Sequence, residues 1–545
     1  MTCITNGTAE NELGKLSSPM RQLYFLGGLM MTGKESDEHR IEYTDEEWER
    51  IVLLLNDIEA EYFKIFMPKE GEQVTEEWKK KRMVAMPSFL SYFNQGPLNF
   101  EEQSISWIRK VYTPMDSIVN ERLGLTTDDF LAYYDNVDKW CNDNFQMFSL
   151  TNPKEYPMRD NWKEYTNMPA VISVNVSELI KDTMASRLPL MTFVRDYGIK
   201  TRFRTSNVVS ERLSNDKVDK ITSLLCCKRK ESNFLYYTST TPGNPLYSTP
   251  IIKIAEDMYQ VFEVKQLLHA IEALLNDTCS SDVQTETKLN KKKGDVLEDG
   301  IEELCNRFFG NRVKKYRSYY VDGCEQDLLV LWKDYAFIIE AKNYKKKEPF
   351  RNPERAFKRI KQEFDKSIGY AFTQCKRVSK YFNDGTLFDI CDSNGNVIET
   401  IDPTKYQDGD FSIIINVASF GQIQTDLSYL LELEDGDRYP WAIKYDDFEV
   451  FLLTLMQKKK NPYFLVDFLI MREYLHKHLV CSDELEICGA YLTGDITDDM
   501  AKDESTSIST MPNLADIFDE QYRKGMGFVN EKYWKEKHSG KTLFW

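Results

Sequence analysis

Four charged side chains bracket an apolar run in "GCEQDLLVLWKDYAFIIEAKNYKKK", Gly323–Lys347. Glu325 and Asp327 stand before the run, Glu340 and Lys342 behind it. A turn at Trp332-Lys333-Asp334-Tyr335, whether a two-residue loop at 333–334 or a four-residue loop over 332–335, sets one antiparallel register. Leu328 then faces Ile339, Asp327 faces Glu340, and Glu325 faces Lys342. Side chains alternate along a strand, so 325 and 327 share a face, as do 340 and 342. All four groups are therefore expected in one cluster at the open end of a hairpin. Opposed carboxylates repel, and in an apolar setting one of them protonates unless a cation compensates. Two carboxylates, a backbone carbonyl and waters suit Mg²⁺, with Mn²⁺ as a substitute. A lysine beside them can orient or activate a water, or stabilise charge on a phosphate. The plain alternative is a salt-bridged hairpin end, with Lys342 paired to Glu325 and Asp327 solvated. Against it, "LLVLW" and "YAFIIEA" are apolar on both faces, which predicts buried central strands.

The flanking chain supplies elements to hold such a hairpin. Leu297, Ile301, Leu304 and Phe308 form one apolar helix face. Residues 313–321 are expected to form a strand, and Asp322-Gly323 is a strong turn signal. Residues 353–382 have helical spacing, with a break expected near Gly369, and 410–420 are expected to form a further strand. On the helix after the hairpin, Ala371, Phe372, Cys375 and Val378 face a core. Tyr370, Gln374, Arg377 and Tyr381 line the adjoining face.

The stretch "EQDLLVLWKDYAFIIEAK" resembles the core of the PD-(D/E)XK nuclease superfamily: an acid on one strand, then Glu-x-Lys on the next after an apolar run. Asp327 stands for the first acid, and Glu340 and Lys342 for the pair. Gln326 replaces the proline that often precedes the acid. The resemblance covers roughly residues 292–419, about a quarter of the chain. It implies a restriction-endonuclease-like core with a mixed β-sheet flanked by helices. It also implies Mg²⁺ on Asp327 and Glu340, and phosphodiester hydrolysis leaving 5′-phosphate and 3′-hydroxyl ends. A helix before the sheet adds an acid in many members; Glu298 is the matching position, with Glu302 one turn later. Asp295-x-x-Glu298 is equally a capping-box start. The helix after Glu-x-Lys often carries a Gln and a Tyr, here Gln374 and Tyr381, although a polar helix face explains both as well.

Charge favours a polyanionic partner. Thirteen Lys or Arg and four acids fall between Lys342 and Lys380, in a chain of net charge −17. Such a run beside paired carboxylates is better explained by phosphate binding than by solvation alone. DNA is favoured over RNA, and a protein partner or second copy stays open. A role in bacterial restriction or anti-phage defence follows by analogy only. The rival is a non-catalytic nucleic-acid-binding or assembly protein on a nuclease-like scaffold. No GxxxxGK[ST] or GxSxG motif occurs. His476, Lys477 and His478 with Cys481 superficially suggest a metal site, but i and i+2 diverge on a helix, so surface histidines are expected.

With 545 residues the chain is too long for one core. The expected class is a multi-domain α/β protein. Residues 1–280 form a mainly helical recognition region, 281–425 the nuclease-like domain, and 426–545 a helical appendage with an acidic tail. Helices are expected at 44–66, 126–140 and 257–275, mixed structure over 152–250, and an exposed linker at 276–295. Eleven scattered cysteines without a CxxC pair, no apolar run long enough to span a membrane, and no basic n-region point to reduced thiols in a cytoplasm.

Overall fold

Two tight turns lay out the strands that carry the charged groups. Asp322 and Gly323 both adopt positive φ, 52° and 72°, as a type I′ hairpin requires. They join β1 (Lys314–Val321) to β2 (Cys324–Trp332). Lys333, at φ 51°, opens the next turn into β3 (Tyr335–Lys342). The β2–β3 register is the expected one, with Leu328 facing Ile339 and Trp332 facing Tyr335. The strands β4 (Phe388–Cys391), β5 (Val397–Ile401), β6 (Gly409–Asn416) and β7 (Trp441–Lys444) complete a seven-stranded mixed sheet. Its order is β7-β6-β3-β2-β1-β4-β5. β3 pairs parallel with β6, and β6 with β7; the other pairs are antiparallel. β3 is therefore central, and Ala336 through Glu340 are all buried, which is why its sequence is an unbroken apolar run.

This is a computed structural model that describes residues 16–32, 44–93, 100–147, 201–229, 237, 243–310, 313–344, 346–529 and 531. These fall into two compact units, one within 1–63 and 96–286, the other within 64–95 and 287–545.

The sheet belongs to the second unit, with helices around it. α1 (Glu76–Phe93) packs on α3 (Pro353–Phe364), where Arg82 meets Glu354 at 2.9 Å. Residues 64–95 thus go with the sheet, not with the N-terminal recognition region to which they were assigned. α2 (Val283–Phe309) buries Leu297, Ile301, Leu304 and Phe308, the expected face. The expected linker at 276–295 is instead largely helical, ending one helix and beginning α2. Between 283 and 295 only Leu289 is buried, so the polar composition marks a solvated helix. α3 runs through a π-turn at Asp365–Gly369 into α4 (Tyr370–Asp384), so the helix widens locally near Gly369 but is not broken there.

Past residue 425 the sheet continues. "WAIK", expected to be helical, is β7; its β-branched and aromatic residues pair with β6 over Trp441–Ile413 to Lys444–Asn416. Helices α5 (Tyr445–Gln457), α6 (Pro462–Tyr474), α7 (Glu484–Thr493) and α8 (Asp516–Lys524) follow. Beyond Thr493 α8 stands among loops and short turns, and 530 and 532–545 lie outside the described residues. His476 is not on the surface. It is buried beside Arg472, which pairs with Glu484 through two nitrogens at 2.8 and 3.0 Å. Burial, then the Arg472 charge, pushes the His476 pKa down to about 4. The Leu427 N–H donates to its Nδ1, and both His478 ring nitrogens face backbone carbonyls.

One close approach in this region makes a stability prediction. A Cβ on Gly489 of α7 would lie 2.0 Å from the Leu514 carbonyl oxygen and 2.8 Å from its carbon. Backbone cannot yield as a flexible side chain can. Gly489→Ala is expected to cost roughly 2–4 kcal/mol and lower Tm by several degrees; an unchanged melting curve would refute this contact.

In the first unit, the helices expected from 44 and 126 open with reciprocal Thr caps. Thr44 and Glu47 exchange side-chain and backbone bonds at the start of the helix Asp45–Lys64, as Thr126 and Asp129 do for Thr127–Met147. The helix expected over 257–275 begins only at Gln266, because 256–257 is a turn and Met258–Val261 is a strand. Residues 148–200, and 230–242 apart from Tyr237, where mixed structure was expected, lie outside the described residues. Among the described residues no helix is long and apolar enough to cross a membrane.

Candidate active site

The charged groups meet where two strands part. The β2–β3 ladder ends at Leu328–Ile339. Beyond it β3 stays paired with β6 as far as Lys342–Asn416, while β2 stays with β1 through Gln326–Tyr319 and Glu325–Tyr320. The strands therefore splay, and backbone donors that would have continued the ladder need other partners. The two carboxylates take them. The Asp327 N–H donates to Glu340 Oε1 at 3.3 Å, and the Ala341 N–H donates to Asp327 Oδ2 at 2.7 Å. β1 is kinked at the same level. Ser318, opposite Asp327 by register, has φ 46°, and that pair is missing from a ladder that resumes on either side. A left-handed non-glycine residue costs about 1–2 kcal/mol, offset here by flanking strand pairs.

Lys342 bridges both acids, with Nζ 2.9 Å from Glu340 Oε2 and 3.3 Å from Asp327 Oδ2. The Glu340 side chain is fully buried, whereas those of Asp327 and Lys342 are 19% and 18% exposed, so solvent reaches the site on the Asp327 side. Burial, then the Asp327 charge, pushes the Glu340 pKa up to about 8, with Lys342 opposing. Burial disfavours the Lys342 charge, yet Glu340 and Asp327 hold its pKa above the ordinary value. The ion pair and the raised Glu340 pKa pull in opposite directions. We take Glu340 as the group that gains a proton, because burial is the largest influence on it.

Three of the four expected charges thus converge. Glu325 does not join them: past the splay it follows β1, and its carboxylate accepts the Tyr320 hydroxyl at 3.3 Å. The expected Glu325–Lys342 apposition is absent because β2 and β3 are no longer neighbours there.

Glu298 comes from the middle of α2, so the capping-box alternative for it fails. It shares a small cleft with Asp327, Arg317 and Ile301. Burial, then the Asp327 charge, raises its pKa, and Arg317, 3.5 Å away, opposes this. Arg317 also reaches Asp299 and Glu302. Sequence reading missed it, because nothing in "KKYRSYY" separates a site arginine from strand solvation. Gln374 is buried on α4 and donates to the Glu325 carbonyl at 3.3 Å, as Gln326 does at 2.8 Å. It braces β2 and makes no hydrogen bond to any of the three charged groups. Tyr381 donates to Asp322 at the β1–β2 turn and stacks on Phe388.

Among the described residues no group of three His, Cys, Asp or Glu stands close enough to hold a metal ion. The donor set still suits a hard cation that keeps most of its waters. It offers two opposed carboxylates, with Asp327 Oδ1 making no hydrogen bond among the described residues. Tyr319 Oη, Gln326 Oε1, Gln374 Oε1 and Asn416 Nδ2 are buried without a protein partner among the described residues, a situation that water ordinarily relieves. Asp327 and Glu340 would hold the ion, with Glu298 one step out because Arg317 pairs with it. Set against family models, curated proteins and solved structures, the chain matches none of them.

Proposed function

We propose that the second unit is a metal-dependent nuclease of the PD-(D/E)XK type, hydrolysing phosphodiester bonds in nucleic acid, with DNA favoured. The observation that carries this is the apposition of Asp327 and Glu340 at a strand splay with Lys342 bonded to both. A divalent cation, Mg²⁺ or Mn²⁺, would neutralise the carboxylates and act as Lewis acid toward the phosphate. Asp327 and Glu340 would hold that ion. Lys342 would bring a positive charge to the phosphate and help position the attacking water. Buried Gln374 and the Ser318 kink keep β2 in the splayed path that presents Asp327. Incubation with plasmid, single-stranded DNA and RNA, each with Mg²⁺, Mn²⁺ or EDTA, tests this. Cleavage should require metal and fall at least about 10²-fold in Lys342→Ala. Equal behaviour of the wild type, Asp327→Ala and Lys342→Ala on every substrate would overturn it.

One observation favours a second reading. The trio satisfies its own charges and caps the splayed strands, so it could be a structural plug in a binding or assembly protein. Metal titration separates the two. A nuclease site should gain thermal stability with Mg²⁺ or Mn²⁺, and a plug should not.

Glu298 supplies a smaller test of the same site. As an acid acting through a neighbour, its replacement by Gln is expected to raise the Mg²⁺ concentration for half-maximal cleavage about 10-fold. The rate at saturating metal should stay within about threefold. A lost rate at all metal concentrations would make Glu298 a direct ligand.

A further inference from the structure

Tyr370 is the most exposed aromatic ring among the described residues, with 57% of its surface open. It sits on the first residue of α4, directly after the π-turn, while the next two residues, Ala371 and Phe372, are buried. Local π-turns often mark functional positions. The Tyr370 hydroxyl makes no hydrogen bond among the described residues. Lys342 Nζ lies 5.9 Å from the ring centroid. The same ammonium contacts both acids. An apolar platform open to solvent therefore stands beside the group expected to meet the phosphate. Along the same helix, Lys366 is exposed four residues earlier and Arg377 is partly exposed seven residues later, so cationic groups flank the ring in both directions.

We propose that Tyr370 stacks on an unpaired base adjoining the phosphate held at Lys342, which makes single-stranded nucleic acid the substrate class of this site. The proposal rests on the nuclease reading above. Every base offers a π-face, so a lone ring binds without regard to sequence. In a duplex those faces are already stacked on neighbouring pairs, and a base must leave the helix to reach a protein ring. Lys366 and Arg377 supply charge for phosphates on either side, a term that weakens with salt. Single-stranded DNA and RNA share this chemistry, and ends frayed from a duplex present it too.

The test uses the full chain with one oligonucleotide in three forms: single-stranded DNA, the same strand annealed to its complement, and RNA of that sequence. Wild type, Tyr370→Ala and Tyr370→Phe are compared for cleavage. The same changes are compared for binding in an Asp327→Ala background. Tyr370→Ala should raise KM and Kd for single strands about 10- to 100-fold. Tyr370→Phe should stay near wild type, duplex cleavage should be slow in all three, and melting curves should coincide. Preference for DNA or RNA among the single strands supports the proposal and identifies the sugar. Cleavage unaffected by Tyr370→Ala, or faster on duplex than on single strands, overturns stacking and leaves the nuclease intact. A fall in kcat with KM unchanged makes Tyr370 a positioning residue for Lys342 and also overturns it. A wild type that cuts nothing overturns the nuclease reading itself.

Discussion

Asp327→Asn is expected to give a folded protein whose Mg²⁺-dependent cleavage is at least about 10³-fold slower, equivalent to about 4 kcal/mol in the barrier. Asparagine keeps the shape of aspartate, and its carbonyl oxygen can still accept the Ala341 N–H that Asp327 Oδ2 accepts at 2.7 Å. Lys342 keeps its hydrogen bond to Glu340 Oε2 at 2.9 Å. The splay should therefore survive, and circular dichroism and the melting curve without metal should change little. What disappears is half of the negative charge facing the cation, and with it the oxygen that makes no hydrogen bond among the described residues. The variant should also lose the rise in Tm that Mg²⁺ or Mn²⁺ gives the wild type. Retained cleavage in a properly folded Asp327→Asn protein would remove Asp327 from the site. Retained metal stabilisation without cleavage would leave it a role in chemistry but not in binding.

The contrast between what the sequence discloses and what it hides follows from the range of the interactions. The hairpin register was legible because alternation and a short turn are local: once 333–334 is the turn, Leu328 must face Ile339. The helix starts expected at 44 and 126 were legible for the same reason. The splay was not, since it depends on what β1 and β6 do to either side. Uninterrupted alternation placed Glu325 opposite Lys342, but β2 follows β1 there and takes Glu325 away. Arg317 was hidden likewise, because its acidic partners lie on a helix 15 to 19 residues earlier. The polar stretch at 276–295 misled in a different way. A helix with one solvated face needs few apolar residues, so low hydrophobicity alone does not separate it from a linker. "WAIK" at 441–444 was assigned by the helical text that follows it, although a short segment with β-favouring Trp441 and Ile443 before a helix suits a βα unit equally.

Glu340→Gln should abolish cleavage as thoroughly as Asp327→Asn, yet raise the stability of the metal-free protein in mild alkali. Glu340 ionises at about 4.5 in an open chain and at about 8 in the fold. A folded pKa above the unfolded one means that the proton favours the native state. The stabilisation is complete below pH 4.5 and is lost progressively as pH rises to about 8. Above that, a buried carboxylate must face Asp327, partly relieved by Lys342. Glutamine cannot ionise, so its contribution should be flat across this range. At pH 8.5 without metal the variant should melt several degrees above wild type, on the order of a few kcal/mol of stability; at pH 5 the two should nearly coincide. The same titration governs metal binding. Below about pH 8 the cation must displace the Glu340 proton. Wild-type Mg²⁺ affinity should therefore rise up to about tenfold per pH unit between 6 and 8, with about one proton released per ion, and cleavage at limiting metal should follow. Calorimetric titration in buffers of different ionisation enthalpy measures that proton directly. No proton release at pH 7, or a Glu340→Gln protein less stable than wild type at pH 8.5, would show that Glu340 is already ionised against Lys342 and that the site is a settled salt bridge.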